Sequence, residues 1–244
     1  MAQDIRSIPL CFGHRGASLE APENTARAFA RAMALGADGV ELDVRMTADG
    51  VAVVFHDATL ARLARAPDRI DRLTWAQLKK FRIGGEPVPR LAEVLEIVGE
   101  RGIVHIEIKA RAALAAAVRA VGRAGAADRV ILASFDHATI RQAAVLAPKL
   151  VRMLITDPPR GRVTETAGAL QLLRVMAALG ASGVSLDHRA ITSEAFVTIF
   201  RRRAVRLWCW TVDEPAEMRR LAACGVDAIL SNDPARLLRT LGRA

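Results

Sequence analysis

The chain has 244 residues, 52% hydrophobic and only 4% aromatic, enough for one ordinary domain or one α/β barrel with a core of Ala, Val, Leu and Ile. Its net charge of +9 comes almost wholly from scattered Arg, with no compact basic tract interleaved with aromatics, which argues against a nucleic-acid binder. No uninterrupted apolar run of about 18 residues offers a membrane helix or a stable membrane anchor, and Met1–Pro9 lacks a signal-type apolar core, so a cytoplasmic protein is expected.

Short apolar runs alternate with longer helical patterns along the whole chain, the rhythm of βα units around a parallel sheet. Strands are predicted at Ile8–His14, Asp38–Arg45, Ile103–Lys109, Arg129–Ser134, Leu150–Ile155, Gly183–Asp187, Val205–Val212 and Asp227–Leu230. Eight strands suit a closed (β/α)8 TIM-like barrel, read as one domain over residues 1–244. After the second strand, Asp49-Gly50 signals a tight turn and Val51–His56 a hairpin return. Helices are predicted at Glu23–Leu35, Pro89–Glu100, Ala112–Ala124, His137–Ala147, Glu165–Leu179, Ser193–Arg203, Pro215–Ala223 and Pro234–Leu241. The polar stretch Asp57–Pro87, with a short helix at Trp75–Phe81, reads as an excursion over one mouth of the barrel. Cys11, Cys209 and Cys224 lack CxxC spacing and sit among apolar residues, so they read as buried thiols, not zinc ligands or disulfides.

Polar residues collect at the C-terminal ends of the early strands, the face where barrels of this kind carry their active sites. His14 ends the first strand, where an imidazole can act as acid or base, and Arg15 beside it could hold a phosphate. In the second strand, Glu41 and Asp43 share one face and Val40, Leu42 and Val44 the other. The apolar face meets the helices, so both carboxylates point inward, toward a divalent cation or else into internal salt bridges with a residue such as Arg45. His56 closes the return strand, as a proton donor or a residue packed under the excursion. In the third strand Glu107 and Lys109 again face inward, as a third carboxylate and a phosphate ligand or as an internal ion pair. His105 lies one pleat deeper and reads as a core residue or one lying behind the ligands.

These residues resemble the glycerophosphodiester phosphodiesterase family. The likeness spans nearly the whole chain. It runs through His14-Arg15-Gly16, Pro22-Glu23-Asn24-Thr25, Gly39-Val40-Glu41-Leu42-Asp43-Val44 and His56-Asp57. It continues in Pro89 with Leu91 and Glu93, Ile106-Glu107-Ile108-Lys109, Ser134-Phe135, Trp210-Thr211-Val212-Asp213 and Gly225-Val226-Asp227-Ala228-Ile229. The resemblance implies a barrel enzyme that uses Mg²⁺ or Ca²⁺, with Glu41, Asp43 and Glu107 as metal ligands. It implies His14 and His56 as the acid–base pair, Arg15 and Lys109 as phosphate ligands, and Trp210 lining the substrate pocket. The implied reaction is hydrolysis of a small glycerophosphodiester to sn-glycerol 3-phosphate and an alcohol, through a cyclic phosphate. A phospholipase-D-like or lysophospholipid-cleaving relative, or a non-catalytic barrel, is the alternative, and the sequence leaves monomer or dimer open. The chain departs from the family pattern at Leu60–Arg65 after the second histidine, at Pro89-Arg90-Leu91, and at Ser231-Asn232, where Thr-Asp is common. These departures read as loop positions outside the catalytic set that bear on substrate preference.

Overall fold

The computed structural model describes residues 8–157 and 165–243. In chain order its elements are β1 (Leu10–His14), α1 (Ala26–Ala34), β2 (Gly39–Met46), β3 (Ala52–Val54), α2 (Ala61–Ala64), α3 (Trp75–Leu78), β4 (Arg82–Ile83) and β5 (Glu86–Pro87). Then follow α4 (Leu91–Val98), β6 (Ile103–Ile108), α5 (Leu114–Arg123), β7 (Val130–Ser134), α6 (His137–Leu146), β8 (Val151–Thr156) and α7 (Glu165–Leu179). The last are β9 (Gly183–Asp187), α8 (Glu194–Arg201), β10 (Arg206–Trp210), α9 (Pro215–Cys224), β11 (Ala228–Ser231) and α10 (Pro234–Thr240). Eight parallel strands run β1-β11-β10-β9-β8-β7-β6-β2, and β2 pairs back onto β1, closing the barrel. The predicted fold class therefore holds. The first residues, on which the reading of a missing signal rests, lie mainly outside the described ones. Among the described residues, no helix is long and apolar enough to cross a membrane.

Alternation along each strand builds the barrel from two apolar surfaces. Val40, Leu42, Val44, Val104, Ile106 and Ile108 face outward and pack against α1, α4 and α5. Leu154, Val184, Leu186, Leu207, Cys209 and Ile229 do the same for the helices of the second half. Inside the barrel, Phe12, Ile131, Met153, Trp208 and Ala228 form a plug, with the Phe12 and Trp208 rings 4.6 Å apart. Each fully buried large side chain there contributes about 1.5–3 kcal/mol. The plug fills the lower barrel, so a ligand can enter only at the strands' C-terminal ends. Cys11, Cys209 and Cys224 are buried free thiols, as the sequence suggested.

The excursion after β2 is built more elaborately than its sequence suggests. β3 runs antiparallel to β2, and Phe55 N then donates to Asp43 O at 2.9 Å, fixing the segment that carries His56. Phe55, Leu60, Ile70, Leu78, Ile83 and Val88 give the excursion its own small core. The predicted helix Trp75–Phe81 is shorter, Trp75–Leu78, opened by a Thr74–Gln77 capping box. The β4–β5 hairpin was not predicted, although Gly84-Gly85, both at positive φ, is a turn signature for it.

Candidate active site

The turn after β1 shows why His-Arg-Gly occurs there. Arg15 and Gly16 both have positive φ, 56° and 82°, and a Cβ on Gly16 would lie 2.6 Å from the Ala28 carbonyl carbon. Only glycine lets the chain double back so tightly against α1. The turn aims Arg15 N at Glu41 Oε2, 3.0 Å away, and its guanidinium toward Asp43, with Nε 3.4 Å from Oδ2.

Glu41, Asp43 and Glu107 each offer a carboxylate oxygen, all within 4.8 Å of one another. All three are buried, at 3%, 1% and 9% exposure. Burial raises Glu41 well above the ordinary carboxylate range, and the charges of Asp43 and Glu107 push it further. Glu107 is raised by burial and by Asp43, against the pull of Lys109. Lys109 Nζ lies 2.8 Å from Glu107 Oε1 and 3.7 Å from Asp43 Oδ1. Asn24, itself at φ 58°, donates from Nδ2 to Asp43 Oδ2 at 2.8 Å and orients that carboxylate. Three carboxylates facing two fixed cations leave negative charge uncompensated, and clustered hard oxygens fit a divalent cation. Arg45 forms no bridge to these carboxylates; its Nε donates to the His56 carbonyl at 2.9 Å. The reading of Glu107 and Lys109 as an ion pair and the reading of Glu107 as part of a carboxylate cage both describe what is seen.

The two histidines have different surroundings. His14 Nδ1 donates to Asn232 Oδ1 at 2.8 Å. Asp213 accepts from both Nδ2 and N of Asn232, at 2.7 and 2.8 Å, which turns the amide oxygen toward His14. That network leaves His14 Nε2 as the free acceptor, 3.8 Å from Glu41 Oε2. Burial, reinforced by Arg15, lowers the pKa of His14. His56 Nδ1 instead meets the Asp57 carboxylate at 2.6 Å, while its Nε2 faces Lys109 Nζ at 3.1 Å. Asp57 is held below its ordinary value, despite the opposing effect of burial, by Arg62 and then His56. Arg62 also bonds Glu23, which bonds Arg15 at 2.8 Å, so a chain of charged groups joins the two sides of the mouth. Glu23 falls to about 2 under those two guanidinium groups, against burial.

A cavity of about 150 Å³ opens above the plug. His14, Arg15, Glu41, His56, Glu107, Lys109 and Trp210 all line it, so predicted residues in or just beyond five separate strands meet at one place. Asp43 lies just behind, within the carboxylate cluster. The opposite wall is Phe135, Ile155, Trp210 and Leu230, with Trp210 edge-on to Phe135 at 5.7 Å and its Nε1 donating to Ser185 O at 3.2 Å. A larger groove of about 690 Å³ lies outside the barrel between α4 and α5 and includes none of the predicted site residues.

Two of the departures from the family pattern reach the site. Asn232, placed by sequence outside the catalytic set, bonds His14 directly. Arg62, inside the departure Leu60–Arg65, ties Asp57 to Glu23. Sequence reasoning also gave no role to Asn24, Asp57 or Asp213, although each lies in a stretch that carried the family resemblance. Ser185 carried no signal beyond its place in a strand.

A model of the glycerophosphoryl diester phosphodiesterase family matches residues 14–236. A glycerophosphodiester phosphodiesterase of Caldanaerobacter subterraneus subsp. tengcongensis is 34% identical, over 94% of this chain and 96% of its own. The crystal structure of a glycerophosphodiester phosphodiesterase from Thermotoga maritima superposes with a TM-score of 0.80 at 26% identity, covering 97% of this chain and 99% of that one. An Oleispira antarctica phosphodiesterase, solved with its product sn-glycerol-3-phosphate, shares the fold at a TM-score of 0.86 and 22% identity, over 96% and 97% of the two chains. With a family match over nearly its whole length and a relative at 34% identity, this chain belongs to the glycerophosphoryl diester phosphodiesterase family.

Proposed function

We propose that this chain hydrolyses small glycerophosphodiesters to sn-glycerol 3-phosphate and an alcohol, with Mg²⁺ or Ca²⁺ as its metal. The observation that carries the reading is the oxygen cluster of Glu41, Asp43 and Glu107, set beside Arg15 and Lys109 and flanked by His14 and His56. Those three carboxylates would hold the cation, which when bound supplies Lewis-acid stabilisation of charge on the phosphoryl oxygens.

The residues of the chain divide the remaining work. Arg15 and Lys109 bind phosphate oxygens and offset the charge that accumulates there. The glycerol hydroxyl adjacent to phosphorus is already held within reach, so its attack loses little translational entropy. His14, with Nδ1 committed to Asn232, accepts that hydroxyl's proton at Nε2. His56 supplies a proton to the departing alkoxide, and Asp57 compensates the imidazolium charge. A phosphoryl oxygen beside Lys109 would draw its ammonium away from His56 Nε2 and leave that edge facing the leaving group. Water then opens the cyclic phosphate with the two histidines in exchanged roles. Trp210 and Phe135 form the wall on which the substrate rests.

The free thiols fit a reducing compartment, and the cytoplasm is the location we propose. The test is metal-stripped protein assayed on glycerophosphocholine and related diesters. Release of glycerol 3-phosphate should require added Mg²⁺ or Ca²⁺ and stop on chelation. No release across the panel with either metal would overturn the reading.

A further inference from the structure

Two polar side chains at the base of the cavity have no hydrogen-bond partner. Both ring nitrogens of His105 and the hydroxyl of Ser185 are buried and unpaired. The residues are 1% and 0% exposed, and both line the active-site cavity. Buried polar groups in folded proteins are nearly always paired, so an unpaired set facing a binding cavity asks for a ligand that pairs it. Neither residue serves the barrel's packing by being polar. The neighbouring inward positions are Phe12, Ile131, Met153 and Ile155, and an apolar side chain would fit the same plug. His105 is stacked on Trp208, ring centroids 5.2 Å apart, which fixes its plane. His105, on β6, is in register with Glu41 on β2, and Ser185, on β9, is in register with Ile155 on β8 and Trp208 on β10.

Resting on the proposed diesterase reading, we infer that His105 and Ser185 bind the terminal hydroxyl of the substrate's glycerol, the one not adjacent to phosphorus. The floor thereby selects a three-carbon polyol. A lysophospholipid, whose terminal oxygen is esterified, would leave both groups unpaired and would need room for an acyl chain where the cavity measures about 150 Å³. A site built to hydrogen-bond a substrate hydroxyl rejects an analogue that lacks it far more strongly than an apolar pocket rejects a missing methylene.

The experiment compares glyceryl p-nitrophenyl phosphate with 2-hydroxypropyl p-nitrophenyl phosphate. Both keep the hydroxyl next to phosphorus, and only the first has the terminal one. The wild-type protein with Mg²⁺ should prefer the glyceryl ester by about 10²-fold or more in kcat/KM. Ser185→Ala, which removes one atom, and His105→Leu should each shrink that preference about tenfold or more, by losing more on the glyceryl ester. Equal wild-type rates on the two esters would sink the inference alone and mean that water satisfies these groups. Equal losses on both esters in the variants would sink it too, as a purely structural effect. Hydrolysis of neither ester would overturn the diesterase reading along with it.

Discussion

The two halves of the barrel mouth differ sharply, although the barrel wall beneath them is the same. On the outside, β2 and β6 present Val40, Leu42, Ile106 and Ile108 to their helices, much as β9 and β10 present Val184, Leu186 and Leu207 to theirs. Inward, the first half carries His14, Glu41, Asp43, Glu107 and Lys109, while the second carries Ile155, Ser185, Trp210 and Leu230. Outward residues make the barrel, and the chemistry rests on inward residues that packing does not require. The first half buries charge at a cost that only cationic neighbours or a metal can offset. Apart from Ser185, the second buries apolar surface at no such cost, and it supplies shape.

The largest effect should come from breaking the charged half at its centre. Glu41→Gln removes one of the proposed oxygen ligands and should lower turnover on the order of 10³-fold, with weaker metal binding by calorimetry. The same variant tests the electrostatics. A carboxyl whose folded pKa is raised binds its proton more tightly folded than unfolded, so the metal-free fold loses stability as pH rises above the unfolded value. The rise in Tm on adding Mg²⁺ should therefore grow between about pH 5 and 8, and Glu41→Gln should flatten that growth. A wild-type Mg²⁺ shift that is constant across this range would contradict the raised carboxylates. Next in size, His14→Ala and His56→Ala should each lose about 10²–10⁴ in kcat while metal affinity stays close to wild type. Wild-type rates in both on an ordinary diester would remove the acid–base assignment.

The same contrast explains what the sequence revealed. All eight strands and the eight outer helices were legible, because outward apolar residues alternate with inward polar ones and turn residues mark the ends. The charged half was legible because carboxylates and histidines at inward strand ends conflict with a packed core, and Glu41, Asp43 and Glu107 duly meet within 4.8 Å. The apolar half was not, since Ile155 and Leu230 look like any core residue and only Trp210 was named. Asn232 was missed for a different reason. It reaches His14 from the opposite end of the chain, 218 residues away, and a loop asparagine has no periodicity to betray it. The excursion's hairpin and bridging Arg62 lie where polar, irregular sequence offers no repeating pattern to read.

The apolar half should respond in binding more than in chemistry. Trp210→Ala removes the ring that meets Phe135 and should raise KM about tenfold, with kcat falling less. The rise should vary with the bulk of the alcohol if this wall touches the leaving group. A kcat loss as deep as that of His14→Ala would dissolve the division between the two halves.

The smallest and sharpest change joins the halves at Asn232, which belongs to the loop after β11 yet holds His14, the proposed base of the charged side. Paired with Asp213→Asn, which keeps a donor facing the other side-chain oxygen, Asn232→Asp keeps the shape and moves the carboxylate charge directly against His14 Nδ1. A nearby negative charge favours the imidazolium, so the pKa of His14, now lowered by burial and Arg15, must rise. A general base works only when neutral, so a higher pKa means that more of it is protonated at low pH. The acid limb of the kcat/KM profile should therefore move up by about one pH unit, with activity reduced near pH 6 and little changed near pH 9. Asn232→Ala removes the hydrogen bond without adding charge, so it should lower the whole profile with at most a small shift. If Asp moves the limb and Ala does not, the titrating group that limits the reaction is the histidine this loop holds. An unmoved limb in both would assign the limb to another group and leave His14 without its role as base.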